Sequence, residues 1–376
     1  MEAYDKLPYQ PTLEILRFHA RATEKCLNDF KQLLRLSPIG PRTFENSDAN
    51  DRRYGPSRSW ERINSFPNFT AAVDGFNEAG HKLEIHFVAL FSQRPDATPL
   101  VLYHGWRGSF LEFFDMLDII KEKYTPGELP YHVVVPSLPG YAFSSGPPLD
   151  YDFTLEDASL ALDRLMRGLG LVGYIAQGGD LGASVARYQA AKCNSCAGMH
   201  LNYTPLPRPP NAAALPVGAA YAILHGTRTA TIGQALSTSP LAVLCWISEK
   251  FLDWTDEDPS LDTILAHATM YWITETFPRC IYPYRDMAGD AERLRIAKAS
   301  GRGHPRLHVS KPSGYSVFQH DIMPMPASWV ATSCNLVSVA TREKGGHFAA
   351  LEKPRDLLAD IEAYMKEAYM GLQKRT

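Results

Sequence analysis

Cysteine is scarce, with six residues in a chain of 376, too few for a disulfide scaffold. Cys193 and Cys196 form a C-x-x-C pair, but no second pair stands at zinc-ligand spacing. A redox pair opens a helix just after a strand, whereas this one precedes the strand-like run Gly198–Leu201, so unpaired thiols are expected. Long hydrophobic runs are also missing. The most apolar stretch, Pro240 to Ile247, falls far short of the roughly 20 residues that span a bilayer. Met1 to Lys6 lacks the basic-then-apolar pattern of a signal peptide. A soluble, cytoplasmic protein with no membrane anchor is therefore expected. Neither charge sign dominates: 38 Lys and Arg against 41 Asp and Glu leave −3, which offers nucleic acid or anionic lipid no electrostatic grip. No repeat or low-complexity tract is visible, and neither a metal nor a cofactor is expected.

What the chain does have is alternation. Residues 1–80 combine a helical segment with a polar, loop-like stretch from Glu45 to Ser59. Beyond them, runs rich in Val, Ile and Leu predict strands over Leu83–Phe91, Pro99–Tyr103, His132–Pro136, Gly173–Ala176, Met199–Tyr203, Leu307–Val309 and Asn335–Ala340. Near-continuous apolar runs suit central parallel strands, which are buried on both faces. Helical patterns over Leu155–Leu169 and Ala183–Ala191 complete a βαβ rhythm and predict a mostly parallel sheet. From about Pro205 to Arg302 the chain turns helical and rich in Tyr and Trp, then strand signals resume. The simplest account is a helical insertion covering the strand ends, where α/β sheets bind ligands.

Three signals carry chemistry. Gln177-Gly178-Gly179-Asp180-Leu181-Gly182 follows a strand and opens a helix. It fits the small-x-nucleophile-x-small elbow, with Asp180 where many hydrolases carry Ser. Gly345-Gly346-His347 lies just past the last predicted strand, where that fold places its base. The acid belongs between them in chain order. Asp321 fits, while Asp286 and Asp290 fall inside the insertion and are weaker candidates. Third, Tyr103-His104-Gly105-Trp106 stands where the fold recruits a main-chain donor for an oxyanion, which makes Trp106 and Leu181 the expected donors.

Longer segments extend the likeness: Trp60 to Gly75, the HGW-x-GS stretch at 104–109, Val134 to Ser144, QGGDLG, Tyr271 to Asp286, and GGHFAALEKP at 345–354. In these the chain resembles the microsomal-type epoxide hydrolases, in particular their soluble fungal branch. The resemblance implies an α/β-hydrolase core with a mostly parallel central sheet, in two parts at 81–204 and 303–376. It also implies a helical lid at 205–302 and an N-terminal meander at 1–80 that packs on core and lid. It makes Asp180 the nucleophile, His347 the base and Asp321 the acid that orients it. Two lid tyrosines would hold the epoxide oxygen: Tyr284 matches one and Tyr221 the other, with Tyr282 and Tyr203 as fallbacks. The expected partner is a small apolar epoxide. Tyr221, Phe251, Trp254, Tyr271, Trp272, Phe277 and Tyr284 are available as walls, and a homodimer is left open.

Asp suits this reaction because an epoxide has no carbonyl, so a carboxylate attacks its carbon directly and forms an alkyl ester. Competing readings are a haloalkane dehalogenase, which Tyr284 argues against, and a non-hydrolytic, epoxide-opening cyclase. Arg107 departs from the pattern, since relatives carry Pro there after a cis bond. The matching neighbours Gly105, Gly108 and Ser109 lead us to expect that a Trp106–Arg107 cis bond is retained.

Overall fold

The structure is a computed structural model that describes residues 4–37, 59–78, 80–204, 220–288 and 308–373. Its sheet begins with β1 (Ile15–Arg17), β2 (Asn68–Val73) and β3 (Leu83–Leu90), which pair antiparallel. β3 joins β5 (Tyr131–Pro136) antiparallel. From β5 onward, β4 (Thr98–Tyr103), β6 (Tyr174–Gly178), β7 (Cys196–Leu201), β8 (Val309–His320) and β9 (Cys334–Gly346) are parallel. The order across the sheet is β1-β2-β3-β5-β4-β6-β7-β8-β9.

The two-residue period of a strand explains how both sheet faces are covered. Leu100 and Leu102 of β4 point into one apolar layer, with α3 (Phe114–Lys123) and the C-terminal helix Pro354–Gln373. Val101 and Tyr103 point into the other, with α4 (Leu155–Gly168) and α5 (Asp180–Lys192). β5 and β6 are buried throughout, His132 and Gln177 included, as central strands covered on both faces are. Thr154 and Asp157 cap α4 reciprocally, which fixes where that helix starts.

Between β7 and β8 the chain is helical. Its described part runs from α6 (Ala220–Thr227) through α7 (Thr229–Leu236), α8 (Pro240–Asp253), α9 (Leu261–Ile273) and α10 (Thr276–Cys280) to α11 (Tyr284–Ala288). The N-terminal helix α1 (Glu24–Leu36) packs on α8 and α9, and Ser37 meets Ser239 at 3.0 Å between their hydroxyls. Among the described residues, no single helix is long and apolar enough to cross a membrane.

Four strands differ from expectation: β1 and β2 form within residues 1–80, where none is expected, and two more are longer than their local pattern suggests. β8 is twelve residues long rather than the short run around Val309, because Pro312 and Gly314 hide it; the ladder shifts register beside both. β9 extends through Arg342, Glu343 and Lys344, charges that suit an edge strand but break the apolar pattern. Residues 45–58, Asp290 and Leu307 lie outside the described residues. Cys193 and Cys196 are free thiols; their carbonyls accept from Lys311 Nζ at 2.7 and 2.6 Å.

Candidate active site

Asp180 sits where β6 turns into α5, in a left-handed conformation with φ 47°. Such a turn needs its neighbours to be small. A Cβ on Gly178 would lie 2.2 Å from the Gly182 carbonyl oxygen, and one on Gly182 would lie 2.3 Å from that of Tyr103. The elbow therefore holds the Asp180 carboxylate above the sheet, against the loop that follows β4.

That loop reaches the carboxylate directly. The Trp106 N–H donates to Asp180 Oδ1 at 2.8 Å. His104 braces the loop: its Nε2 accepts from the Leu138 N–H at 3.1 Å, so Nδ1 carries the proton it shares with the Gly105 carbonyl. The expected cis bond is not there. No cis peptide occurs among the described residues, and Arg107 instead takes φ 59°. For a residue other than Pro a cis bond costs about 2.5–4 kcal/mol, whereas one left-handed residue costs about 1–2 kcal/mol. The loop turns by the cheaper route and still aims its N–H. The second expected donor, Leu181, is buried in the first turn of α5, but its N–H does not bond the carboxylate.

His347 follows β9. Its Nε2 lies 3.1 Å from Asp180 Oδ2, and its Nδ1 lies 2.7 Å from Asp321 Oδ1, at the end of β8. The three side chains thus form one buried chain. Asp286 stands on α11 and takes no part in it. Burial alone would lower the His347 pKa, but the charges and hydrogen bonds of Asp321 and Asp180 outweigh it and push it up to about 9. Burial likewise pushes Asp180 up, and here His347, then Arg107 and the Trp106 N–H, win and hold it below the ordinary carboxylate value. Both shifts describe a carboxylate–imidazolium pair.

The helical segment between β7 and β8 brings two phenols to the site. Tyr221 of α6 stacks on Trp106 with ring centroids 5.0 Å apart, and Tyr284 of α11 meets Trp106 edge-on at 5.7 Å. The two tyrosine rings meet edge-on with centroids 5.8 Å apart, and both feel the Asp180 charge. Burial pushes Tyr221 up to about 12 and Tyr284 well above its ordinary value, so both remain O–H donors near neutral pH. Of the fallbacks, Tyr282 packs on Phe153 and Tyr203 lies edge-on to His347 at 4.9 Å. Trp254 packs against His347 and Tyr221, and Phe277 against Trp106. Tyr271 ties α9 to the loop by donating to the Gly108 carbonyl at 3.1 Å. Phe251 packs on Phe348, and Trp272 faces a separate cleft of about 480 Å³ between α1 and the lid.

Sequence reasoning missed Glu112 and Asn202. With Asp180 and His347 they line a cavity of about 20 Å³, room for one water molecule. Burial pushes Glu112 up to about 8, so it is largely a neutral acid at pH 7. A signal did exist, since Glu112 stands three residues after the capping Ser109 and faces back toward Gly108. Among the described residues, no group of three or more His, Cys, Asp or Glu could hold a metal ion.

A carboxylate on a strained strand-to-helix elbow, joined to a histidine and a second acid from the last two strands, defines a hydrolase of the α/β-hydrolase fold with Asp at the elbow. Comparison with known proteins agrees. Residues 98–230 match the alpha/beta hydrolase fold family, and residues 15–113 match the family described as epoxide hydrolase N terminus. A Dothistroma septosporum protein named "Putative epoxide hydrolase" is 43% identical, covering 98% of this chain and 94% of its own. The structure of Aspergillus niger epoxide hydrolase superposes with a TM-score of 0.84 at 41% identity, covering 98% of this chain and all of that one. Rabbit (Oryctolagus cuniculus) epoxide hydrolase 1 is 29% identical over 80% of this chain and 74% of its own. The chain belongs to the epoxide hydrolase family.

Proposed function

We propose that the protein hydrolyses an apolar epoxide to a vicinal diol through an alkyl ester on Asp180. One observation carries the reading: the Asp180 carboxylate is held through one oxygen by a main-chain N–H and through the other by His347, with two neutral phenols close by. Phenols suit a developing alkoxide, because an O–H donor can pass it a proton.

In this mechanism Oδ2 attacks one epoxide carbon from behind the C–O bond that breaks, and Tyr221 and Tyr284 supply the proton to the leaving oxygen. Oδ1, bonded to Trp106, becomes the ester carbonyl oxygen. Esterification removes the Asp180 charge, which is one of the two carboxylates that hold the proton on His347. The imidazole pKa then falls, the imidazolium proton passes to the phenolate left by the first step, and the neutral ring becomes a base at the moment one is needed. A water in the cavity shared with Glu112 and Asn202 gives its proton to His347 and attacks the ester carbon. The Trp106 N–H stabilises the resulting oxyanion, and Leu181 can join it, with about 3 kcal/mol per donor as a ceiling. The oxyanion collapses with cleavage of the ester C–O bond; His347 returns its proton to the departing diol oxygen and takes up the Asp180 carboxyl proton, which restores the ion pair. Asp321 orients the ring and stabilises its positive charge.

In the same reading, residues 205–302 act as the lid and 1–80 as the meander that braces it, around core parts 81–204 and 303–376. Tyr221, Trp254, Phe277 and Tyr284 make the walls apolar. A single turnover of styrene oxide in oxygen-18 water tests the mechanism. Label should enter the Asp180 carboxylate first and leave the first diol unlabelled. Label found directly in that diol, or turnover surviving Asp180→Ala, would overturn the ester route.

A further inference from the structure

Beside Tyr221, five buried nitrogens find no hydrogen-bond partner among the described residues. They are Nε1 of Trp106, the three guanidinium nitrogens of Arg107 and Nδ1 of His225. All five are donors. His225 Nε2 accepts from Trp246 Nε1 at 3.2 Å, and an indole can only donate, so the neutral ring carries its proton on Nδ1. The three residues touch: the Arg107 guanidinium carbon lies 5.0 Å from the Trp106 ring centroid, and the Trp106 and His225 rings are 4.6 Å apart.

Arg107 is wholly buried, and leaving its N–H groups unpaired is costly. Stacking on Trp254, 3.3 Å from its ring centroid, offsets part of that cost. A second cation approaches the same place, since Lys250 Nζ lies 5.5 Å from the Tyr221 ring. Lys250 is paired with Glu249, whereas Arg107 pairs with no described carboxylate. Asp180, the nearby anion, is already engaged by His347. A cluster of unpaired donors selects an acceptor, and an unpaired guanidinium selects an anion that it can grip with two parallel hydrogen bonds.

We propose that Trp106, Arg107 and His225 form a subsite for a carboxylate carried on the apolar body of the substrate. The inference rests on the epoxide-hydrolase reading and narrows its substrate class to epoxy acids. Burial lowers the Arg107 pKa only to about 10, so the guanidinium stays charged at neutral pH. It also lies close enough to Asp180 for the carboxylate's charge to be felt. The cation then serves a second purpose, offsetting the repulsion between an anionic substrate and the Asp180 carboxylate.

The test separates binding from turnover. Cinnamate and cinnamamide share a shape and carry no epoxide, and their binding to the wild type, Arg107→Leu and Arg107→Lys is read by tryptophan fluorescence. Hydrolysis of 3-phenylglycidate and 3-phenylglycidamide is measured in parallel. Cinnamate should bind the wild type about tenfold or more tighter than cinnamamide. The kcat/KM ratio of the glycidates should follow the same order. Arg107→Leu should lose the preference, and Arg107→Lys should keep part of it. Equal binding of the two probes by the wild type overturns the proposal, whatever the variants do. So does an undiminished preference in an Arg107→Leu protein that melts cooperatively. Inert glycidates with an intact cinnamate preference would remove the hydrolase reading and leave the subsite standing. Rapid amide hydrolysis with no carboxylate preference would do the reverse.

Discussion

The Trp106 N–H donates to Asp180 Oδ1 at 2.8 Å although the peptide that follows Trp106 is trans. The turn that aims this donor is made by φ 59° at Arg107. Proline, whose ring fixes φ near −65°, cannot adopt that angle. Arg107→Pro should therefore destabilise the protein, by about 2–3 kcal/mol, rather than rigidify it. Urea unfolding measures this directly. A raised midpoint would show that the loop has a second arrangement that also suits the fold.

His347→Gln should let the ester on Asp180 form and then persist. Glutamine keeps a hydrogen-bonding group beside Oδ2 but cannot take a proton from water. Mass spectrometry of the substrate-treated variant should show the peptide containing Asp180 heavier by one substrate molecule. Steady-state turnover should fall by about 10²–10⁴-fold. A variant that turns over at the wild-type rate would take His347 out of the water step.

In the proposed mechanism the phenols act in the other half of the reaction. Tyr221→Phe and Tyr284→Phe should each slow ester formation by at least about tenfold, and the pair together by more. Their rings keep the stack and the edge contact on Trp106, so the apolar packing is retained. Stopped-flow fluorescence would follow the alkylation phase. If the double variant alkylates as fast as the wild type, the oxygen is stabilised elsewhere.

The buried triad makes stability depend on pH. His347 in the folded protein holds its proton up to about 9, against 6.5 when unfolded. Between those values the native state binds more protons, so stability falls as pH rises. The contribution is whole below 6.5, is lost through about 9, and is on the order of a few kcal/mol. Glu112, raised to about 8 by burial, adds to the fall with the same sign over the lower part of that range. Asp321→Asn should flatten the slope, since Asp321 is the first favourable influence on His347. Melting temperatures of both proteins from pH 6 to 9.5 decide it. Parallel curves would place the proton elsewhere.

Much of this was readable before any coordinates. The apolar runs of β4, β5 and β6 announce strands buried on both faces, and the elbow glycines announce a turn that tolerates no side chain. Asp180 and His347 could be picked because each follows a predicted strand, and parallel strands deliver their C-terminal ends to one edge of the sheet; Asp321 could be picked from its place between them in chain order. β8 and the far half of β9 stayed hidden, since Pro312, Gly314 and the edge charges obey the sheet's neighbours rather than a local period. The sequence by itself determined the fold class, the strand-end residues and the chemistry open to them. Only the tertiary structure decided how Trp106 is aimed, which lid tyrosines meet over it, and where Arg107 points. Those depend on loop dihedrals and on contacts across the lid between residues far apart in the chain, where no local pattern constrains the outcome.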